Sequence, residues 1–423
     1  MFIKHILLPA LVLLGGLAGA TGQHKHQPLR TVDKVLTVSE ISDALRRYNP
    51  SLAAARYTLA EAEAQRKSAG RLANPEFFTG MIHDPGYREI GGTVGFRQSF
   101  PFTSRLKIEK DLSVALLLQA EQEIEVMTEK LIGEAHMIAV RLLTLQAHEV
   151  LHKQHLKLAD ELANYAEDVA KKGEGSPLDA SQTRLEANQQ MIELRELDTR
   201  AEKLRAELAT IIGFSHNTRI TLEGSLDAPT LPEFHTATLQ NRAVYRATRL
   251  GIAAADESTQ LERSKRWQDI TASLFTGVSR EEDNPIGLER EHRIGFQVSI
   301  PLLLWDKNEG QIEKAQSRKE RMEQTLKAVA HKIQSDASQS YQSMKSEARL
   351  VQEITSPLIP AAEQQQTKSI NAYQAGQISL EPVLRSREQL IELRAARLHA
   401  LRDFHLARVS HAIAHGTLQF QKP

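Results

Sequence analysis

The sequence predicts a mainly α-helical chain, with long coiled-coil helices joined to a membrane β-barrel and four β-strands arranged in two structural repeats. Three observations lead there. First, Val94-Gly95-Phe96-Arg97-Gln98-Ser99-Phe100-Pro101 returns as Ile294-Gly295-Phe296-Gln297-Val298-Ser299-Ile300-Pro301. Phe78-Thr79-Gly80 likewise returns as Phe275-Thr276-Gly277, and Gly173-x-x-Ser176 as Gly376-x-x-Ser379. The three offsets agree to within a few residues of ~200, so the halves share an order of elements. Second, between Thr103 and Lys172 there is no proline and one glycine, Gly133, while Leu117, Ile124, Leu131, Ile138 and Leu145 recur every seventh residue. That is a coiled-coil seam, on a helix that would be on the order of 100 Å long. Third, the segments around the repeated motifs alternate apolar and polar residues with period two, as strands with one apolar and one polar face do.

Composition narrows the class. The 423 residues carry 25% charged side chains that balance to a formal net charge of zero, so no basic field points to nucleic acid. Aromatics are 5%, low for a large compact core. There is no cysteine, hence neither disulfide nor lipid-attachment site. Residues 1–20 read as a cleavable signal peptide: Lys4 and His5, an apolar run over 6–17, then Ala18-Gly19-Ala20. No later stretch is apolar enough to span a bilayer as a helix, so membrane contact falls to strands.

The elements follow in order. Residues 21–36 are a polar N-terminal tail, and repeat 1 covers 37–225. A short helix begins near Ser39, and Asn49-Pro50 restarts it with a capping residue and a first-turn proline. This helix runs to about Leu72, a hairpin occupies about 76–102, and the long helix about 103–172. A tip at 173–177 reverses the chain into a return helix ending at 212. Repeat 2 covers 226–416, with a helix over about 242–266, a hairpin at about 268–304 and a long helix at about 309–375. Its tip at 376–379 leads to a return helix to 415, and 417–423 form a C-terminal tail. In each repeat the two shorter helices together nearly match the long one at 1.5 Å per residue, so they could stack end to end beside it. A two-layered helical wall follows from that.

In the strands, Val94, Phe96, Phe100, Leu274, Val278, Ile294, Phe296, Val298 and Ile300 form the apolar face. A half-buried soluble sheet would show the same alternation. Aromatics favour a membrane: Trp267 and Trp305 flank one end of the second hairpin, and Phe77 and Phe102 the matching end of the first, as in an interfacial girdle. The opposite ends are polar turns at 83–86 and 283–287. Since about eight strands are needed to close a barrel, the chain should oligomerise to remove its sheet edges.

These residues resemble the TolC-like outer-membrane efflux factors, and within them the cation-efflux (CzcC-like) branch. The resemblance rests on Asn49-Pro50-Ser51-Leu52 at the helix start and on Pro301-Leu302-Leu303-Leu304 with Asn308-Glu309-Gly310 after the fourth strand. Pro360-Ala361-Ala362, Tyr373-x-x-Gly376 and Ser379 carry it at the second tip. It implies a homotrimer with a twelve-stranded barrel in outer-membrane lipid, continued by a periplasmic helical tunnel. The tunnel would take substrate, heavy-metal cations by branch, from an inner-membrane RND transporter through a periplasmic adaptor protein. No enzyme activity, cofactor or resident metal is implied. Ala20 stands where lipoprotein relatives have a modified cysteine, so the chain is expected not to be a lipoprotein of its Gram-negative outer membrane. Some relatives narrow the pore with two acids near the second tip. Here Pro382 and Arg385 stand at those places, leaving Asp179 and Glu381 as candidate constriction residues. Lys171, Lys172, Gly173, Ser176, Tyr373, Gly376 and Ser379 lie where an adaptor would touch.

Other readings stay open at this stage. The duct could carry drugs, organic solutes or secreted protein. His148-Glu149-Val150-Leu151-His152 matches the H-E-x-x-H zinc-protease motif, with His155 nearby, yet it lies inside the seamed helix where packing explains it too. His24 with His26, and His411 with His415, could each bind a metal weakly. Pro357 and Pro360 interrupt the second long helix and should kink it, as a fixed bend or a flexing point.

Overall fold

The computed structural model describes residues 32–84, 89–283 and 287–417. The signal segment, Ala20, His24, His26, the centres of both polar turns and the tail beyond 417 lie outside the described residues.

Helices dominate. Asn49 caps α2 (Pro50–Ser68) by accepting from the Leu52 amide at 2.9 Å, with Pro50 in the first turn. The preceding helix, α1, spans Ile41–Tyr48. α2 stops at Ser68 rather than at Leu72, because Gly70 takes a left-handed φ of 69°. The hairpin β2 (Glu76–Asp84) and β3 (Glu89–Phe100) leads into α3 (Arg105–Lys171), a single helix of 67 residues. The chain returns in α4 (Pro177–Ile212), ended by Gly213 at φ 94°. The second half runs α5 (Ala243–Ser264), β5 (Ile270–Asp283), β6 (Gly287–Ser299), α6 (Glu309–Glu353), α7 (Ile359–Gln374) and α8 (Leu380–His415). α3 packs against α2 and α4, and α6 against α5 and α8, so shorter helices do line each long one. α5 and α8 also touch α3, which joins the two halves into one wall.

Three expectations need correction. Residues 32–36, expected at the end of the polar tail, instead belong to β1 (Val32–Thr37), paired in parallel with β4 (Thr218–Glu223). This pair buries Leu36, Ile220 and Leu222 against α1, α3 and α4, in a core with Ile41, Leu45, Leu142, Leu208 and Ile212. Burying that much apolar surface at ~25 cal/mol per Å² outweighs the polarity of the strands' other face. The described residues thus form six strands, four in one sheet and two in another. The long helix expected over 309–375 is also not uniform. A π-helical turn at Ile354–Leu358 separates α6 from α7, with the Ile359 amide donating to the Ile354 carbonyl. Pro357 has no amide to offer the Glu353 carbonyl, and widening the turn by one residue accommodates both prolines within a continuing helical path. Finally, the strict seven-residue seam does not persist: Leu117 and Ile138 are buried, but Ile124, Leu131 and Leu145 are half-buried. The buried stripe of α3 instead runs through Ile132, Ala135, Ala139 and Leu142, then Leu151, His155, Ala159, Ala163 and Ala166. A straight helix drifts against a strict seven-residue repeat, and changing neighbours re-select the face.

The four-stranded sheet has the order β2-β3-β5-β6 and is antiparallel throughout. Register explains the repeated motif. Phe78, Gly95, Phe275 and Gly295 lie in one cross-strand row, so each Phe-Thr-Gly phenylalanine faces the glycine of its own hairpin partner. A Cβ on Gly95 would come within 2.7 Å of the Leu274 carbonyl oxygen and of the Phe78 ring. Gly95→Val is therefore expected to abolish sheet formation, read as loss of the heat-resistant oligomer. Gly92→Val, in the same strand with nothing within 4 Å, should be tolerated; equal behaviour of the two would refute this origin of the motif. On the opposite face, Phe77, Phe96, Leu274 and Phe296 form one row, and Val94 and Ile294 share the next. Val278, Val298, Phe100 and Ile300 are exposed as well, with Ile294 at 84%.

At the helix end of the sheet, Trp267 lies 6.2 Å from Phe102 between ring centroids, while Phe77 packs edge-on against Phe96 and Trp305 is 91% exposed. Arg105 at the start of α3 pairs with Asp269 just before β5 at 2.6 Å, tying sheet to helices there. Asn308, at a left-handed φ of 57°, opens α6 and donates to the Glu262 carbonyl at 2.8 Å. The Asn-x-Gly segment thereby fixes the second crossing from strand to helix.

Candidate functional site at the helical tips

Both reversals are built alike. α3 ends at Lys171, and Gly173 takes φ 75° while its amide donates to the Ala170 carbonyl and the Glu174 amide to Val169. At the second tip Gly376 takes φ 71°, its amide donates to Tyr373, and the Gln377 amide to Ala372. These are glycine-terminated caps that satisfy the last carbonyls of each helix. Ser176 caps α4, its hydroxyl accepting from the amides of Leu178 (3.2 Å) and Asp179 (3.4 Å). Ser379 occupies the same place before α8 without a side-chain cap bond. Lys171 pairs with Asp168 at 3.6 Å and, like Lys172, is exposed.

The two candidate constriction acids differ in surroundings. Asp179 is half-buried and accepts a hydrogen bond of 3.4 Å from the Tyr373 hydroxyl, so it touches the other tip. Burial first, then the Asp179 carboxylate, pushes the Tyr373 phenol up. Tyr165 meets the Tyr373 ring edge-on at 6.4 Å. Glu381 is exposed and pairs with Arg385 one helical turn on, at 3.0 Å. Asp179 and Tyr373 are thus brought together across the repeats, whereas Glu381 has a partner on its own helix.

Sequence reasoning missed the charges behind the tips. Arg184 of α4 reaches Glu167 (2.7 Å), Asn164 (2.6 Å) and Asp160 (3.4 Å) on α3, clamping the first hairpin. Deeper in, Arg387 of α8 is 3% exposed, pairs with Glu186 of α4 at 3.5 Å and donates to the His155 carbonyl of α3 at 3.4 Å. A signal existed: Val383, Arg387 and Leu390 follow a four-then-three spacing, which sets an arginine in a buried stripe.

The H-E-x-x-H side chains point to separate partners. His148 is buried and stacks on His399 at 4.9 Å, while His152 stands 6.5 Å away between centroids. His152 Nδ1 is 3.3 Å from both Gln190 and Glu193, and Glu149 pairs with Lys153 at 2.6 Å. Among the described residues no group of three or more His, Asp or Glu side chains is placed to hold a metal ion. The motif's side chains are engaged in contacts within and between the helices. His411 and His415 stack on each other at 4.3 Å.

Burial holds His136, His148 and His155 neutral, with pKa values lowered to about 4; neighbouring His399, His152 and Arg402 add to this at His148. The unfolded chain titrates near 6.5 and so takes up protons first as pH falls. Stability is complete above about 6.5 and is lost towards about 4, at ~1.4 kcal/mol per pH unit for each histidine. His148→Gln should therefore flatten the decline in thermal midpoint between pH 7 and pH 5. An unchanged slope would mean that His148 is protonated in the folded protein.

Comparison with known proteins fits this geometry. Residues 41–214 match the family model described as Outer membrane efflux protein. The cobalt-zinc-cadmium resistance protein CzcC of Cupriavidus metallidurans is 23% identical over 232 residues, which cover 54% of each chain. The chain thus spans about half the length of that curated relative. A crystal structure of CusC, described with its transmembrane channel formation, superposes with TM-score 0.72 at 15% identity, covering 89% of this chain and 91% of that one. The outer membrane protein VceC of Vibrio cholerae gives 0.71 at 16%, covering 90% and 96%. The chain resembles the outer-membrane efflux factors in sequence over residues 41–214 and has their fold over about nine-tenths of its length. That family and these neighbours are channels, not enzymes.

Proposed function

We propose that the chain is one protomer of a homotrimeric outer-membrane duct that passively conducts substrate from an inner-membrane RND transporter and its periplasmic adaptor to the outside. One observation carries the reading: a four-stranded sheet exposes a continuous apolar face, while its outer strands β2 and β6 each leave one edge unpaired. Lipid satisfies that face, and pairing of β2 with a neighbour's β6 closes three sheets into a twelve-stranded barrel. Val94, Phe96, Phe100, Leu274, Val278, Ile294, Phe296, Val298 and Ile300 then face lipid, with Trp267, Trp305, Phe77 and Phe102 at the periplasmic interface. The helical wall extends into the periplasm. Lys171, Lys172, Gly173, Ser176, Tyr373, Gly376 and Ser379 meet the adaptor, and the π-turn around Pro357 and Pro360 is where the tunnel flexes.

Similarity to CzcC supports heavy-metal cations as substrate. Deleting the gene and testing tolerance decides this: sensitivity to divalent metals is expected, and sensitivity to drugs alone would assign the duct to organic solutes. The duct reading is tested by a heat-resistant trimer in outer-membrane fractions and single-channel conductance in planar bilayers. A soluble monomer would overturn it.

Around the trimer axis Asp179 and Glu381 would contribute three copies each of a like charge, whose field attracts cations. Asp179→Asn with Glu381→Gln is expected to lower cation selectivity and block by multivalent cations in the reconstituted channel. If both persist, the two acids serve only their helix starts.

A further inference from the structure

The outward face of the sheet changes character at its turn end. In the register, His83, Ile90, Arg280 and Arg290 lie directly opposite one another across β2, β3, β5 and β6. Their parity is that of the Phe77–Phe96–Leu274–Phe296 row, so they stand on the apolar face. Arg280 and Arg290 are thus a like-charged cross-strand pair, with Cβ atoms about 5 Å apart, a destabilising arrangement that an anion between them would relieve. Both are exposed, and neither forms an ion pair with another described side chain. The inward-facing arginines differ: Arg97 pairs with Glu76 at 3.6 Å and Arg293 with Glu291 at 2.8 Å. His292, opposite Val278, adds a further basic group on the next outward row.

Height fixes what meets this row. Arg280 lies ten residues along β5 from Ile270, which is level with Phe100 at the aromatic end. At about 3.4 Å per residue and a strand tilt of about 40°, that is a rise of about 26 Å, the thickness of a lipid-facing apolar band. The basic row therefore falls where hydrocarbon gives way to headgroups, at the end away from the helices. Arginine offers a planar fork of donors that grips phosphate oxygens in pairs.

We propose that Arg280 and Arg290, flanked by His292, form a binding site for the phosphate groups of the phosphorylated glycolipid in the outer leaflet. The inference rests on reading this sheet as a lipid-facing barrel wall. It is tested by purifying wild-type, Arg280→Gln/Arg290→Gln and Arg293→Gln proteins from outer membranes and quantifying phosphorylated glycolipid retained per chain after a detergent wash. The double variant should retain at least about threefold less, with Arg280→Lys/Arg290→Lys recovering part of the loss, because charge is kept and the fork is not. Arg293→Gln removes the same charge from the other face and should retain wild-type levels. Equal retention in the double variant and wild type overturns the site, and so does an equal loss in Arg293→Gln. Absence of the wild-type chain from outer membranes would instead overturn the barrel reading beneath it.

Discussion

Replacing Gly173 and Gly376 together with valine is expected to abolish export while leaving the trimer and barrel intact. Both glycines hold left-handed φ values, 75° and 71°, and neither has any atom within 4 Å of where a Cβ would stand. The penalty is therefore purely conformational, roughly 1–2 kcal/mol for an ordinary L-residue and more for a β-branched one. It cannot be relieved by moving a neighbour, so the tip itself must change shape. Each cap also directs the next helix: displacing Gly376 moves Tyr373 away from Asp179 and breaks their hydrogen bond between the two tips. Gly→Asn at both positions is the control, since asparagine tolerates this region. Export should fail with valine and survive with asparagine, with the heat-resistant oligomer present in both. Normal efflux in the valine variant would move the docking surface elsewhere on the helical wall.

The sequence was most legible where one local rule acts alone. The Asn49-Pro50 start, the glycine reversals at 173 and 376, and the apolar alternation through Val94–Phe96 and Ile294–Phe296 each depend on a few neighbouring residues. Parts set by distant contacts were hidden. β1 is short and partly polar, and only its pairing with β4, far along the chain, gives Leu36 something to be buried against. The π-turn shows in the sequence as two prolines but its width does not, and Arg397 of α8 donates to the Thr355 hydroxyl of the turn at 3.0 Å. The phenylalanine-over-glycine rows were visible as a repeated motif whose cause became clear only with the register. Asp179 and Glu381 lie three and two residues after their serines, and the structure separates them because Tyr373 approaches only the first.

Arg387→Met should destabilise the tip half of the helical wall by about 3 kcal/mol, the lower end of what is lost when one partner of a buried ion pair is removed. Burial pushes the Arg387 guanidinium down and the Glu186 carboxyl up, each partly countered by the other. The pair thus holds two charges that burial disfavours, each eased by the other. Removing the arginine leaves Glu186 without its partner and Glu388 as a repelling neighbour, and it frees the His155 carbonyl. The loss stays at the lower end because Glu186 keeps 25% side-chain exposure and can recover some hydration. Adding Glu186→Leu to Arg387→Met should restore most of the stability, since an apolar pair of similar volume removes the desolvation that both charges suffer. The measurement is the denaturant midpoint of helical signal for wild type, both single variants and the double variant. If Arg387→Met alone is neutral, neither the ion pair nor the hydrogen bond to α3 governs stability there; if the double variant is no better than the worse single one, the hydrogen bond to α3, not the ion pair, carries the arginine's role.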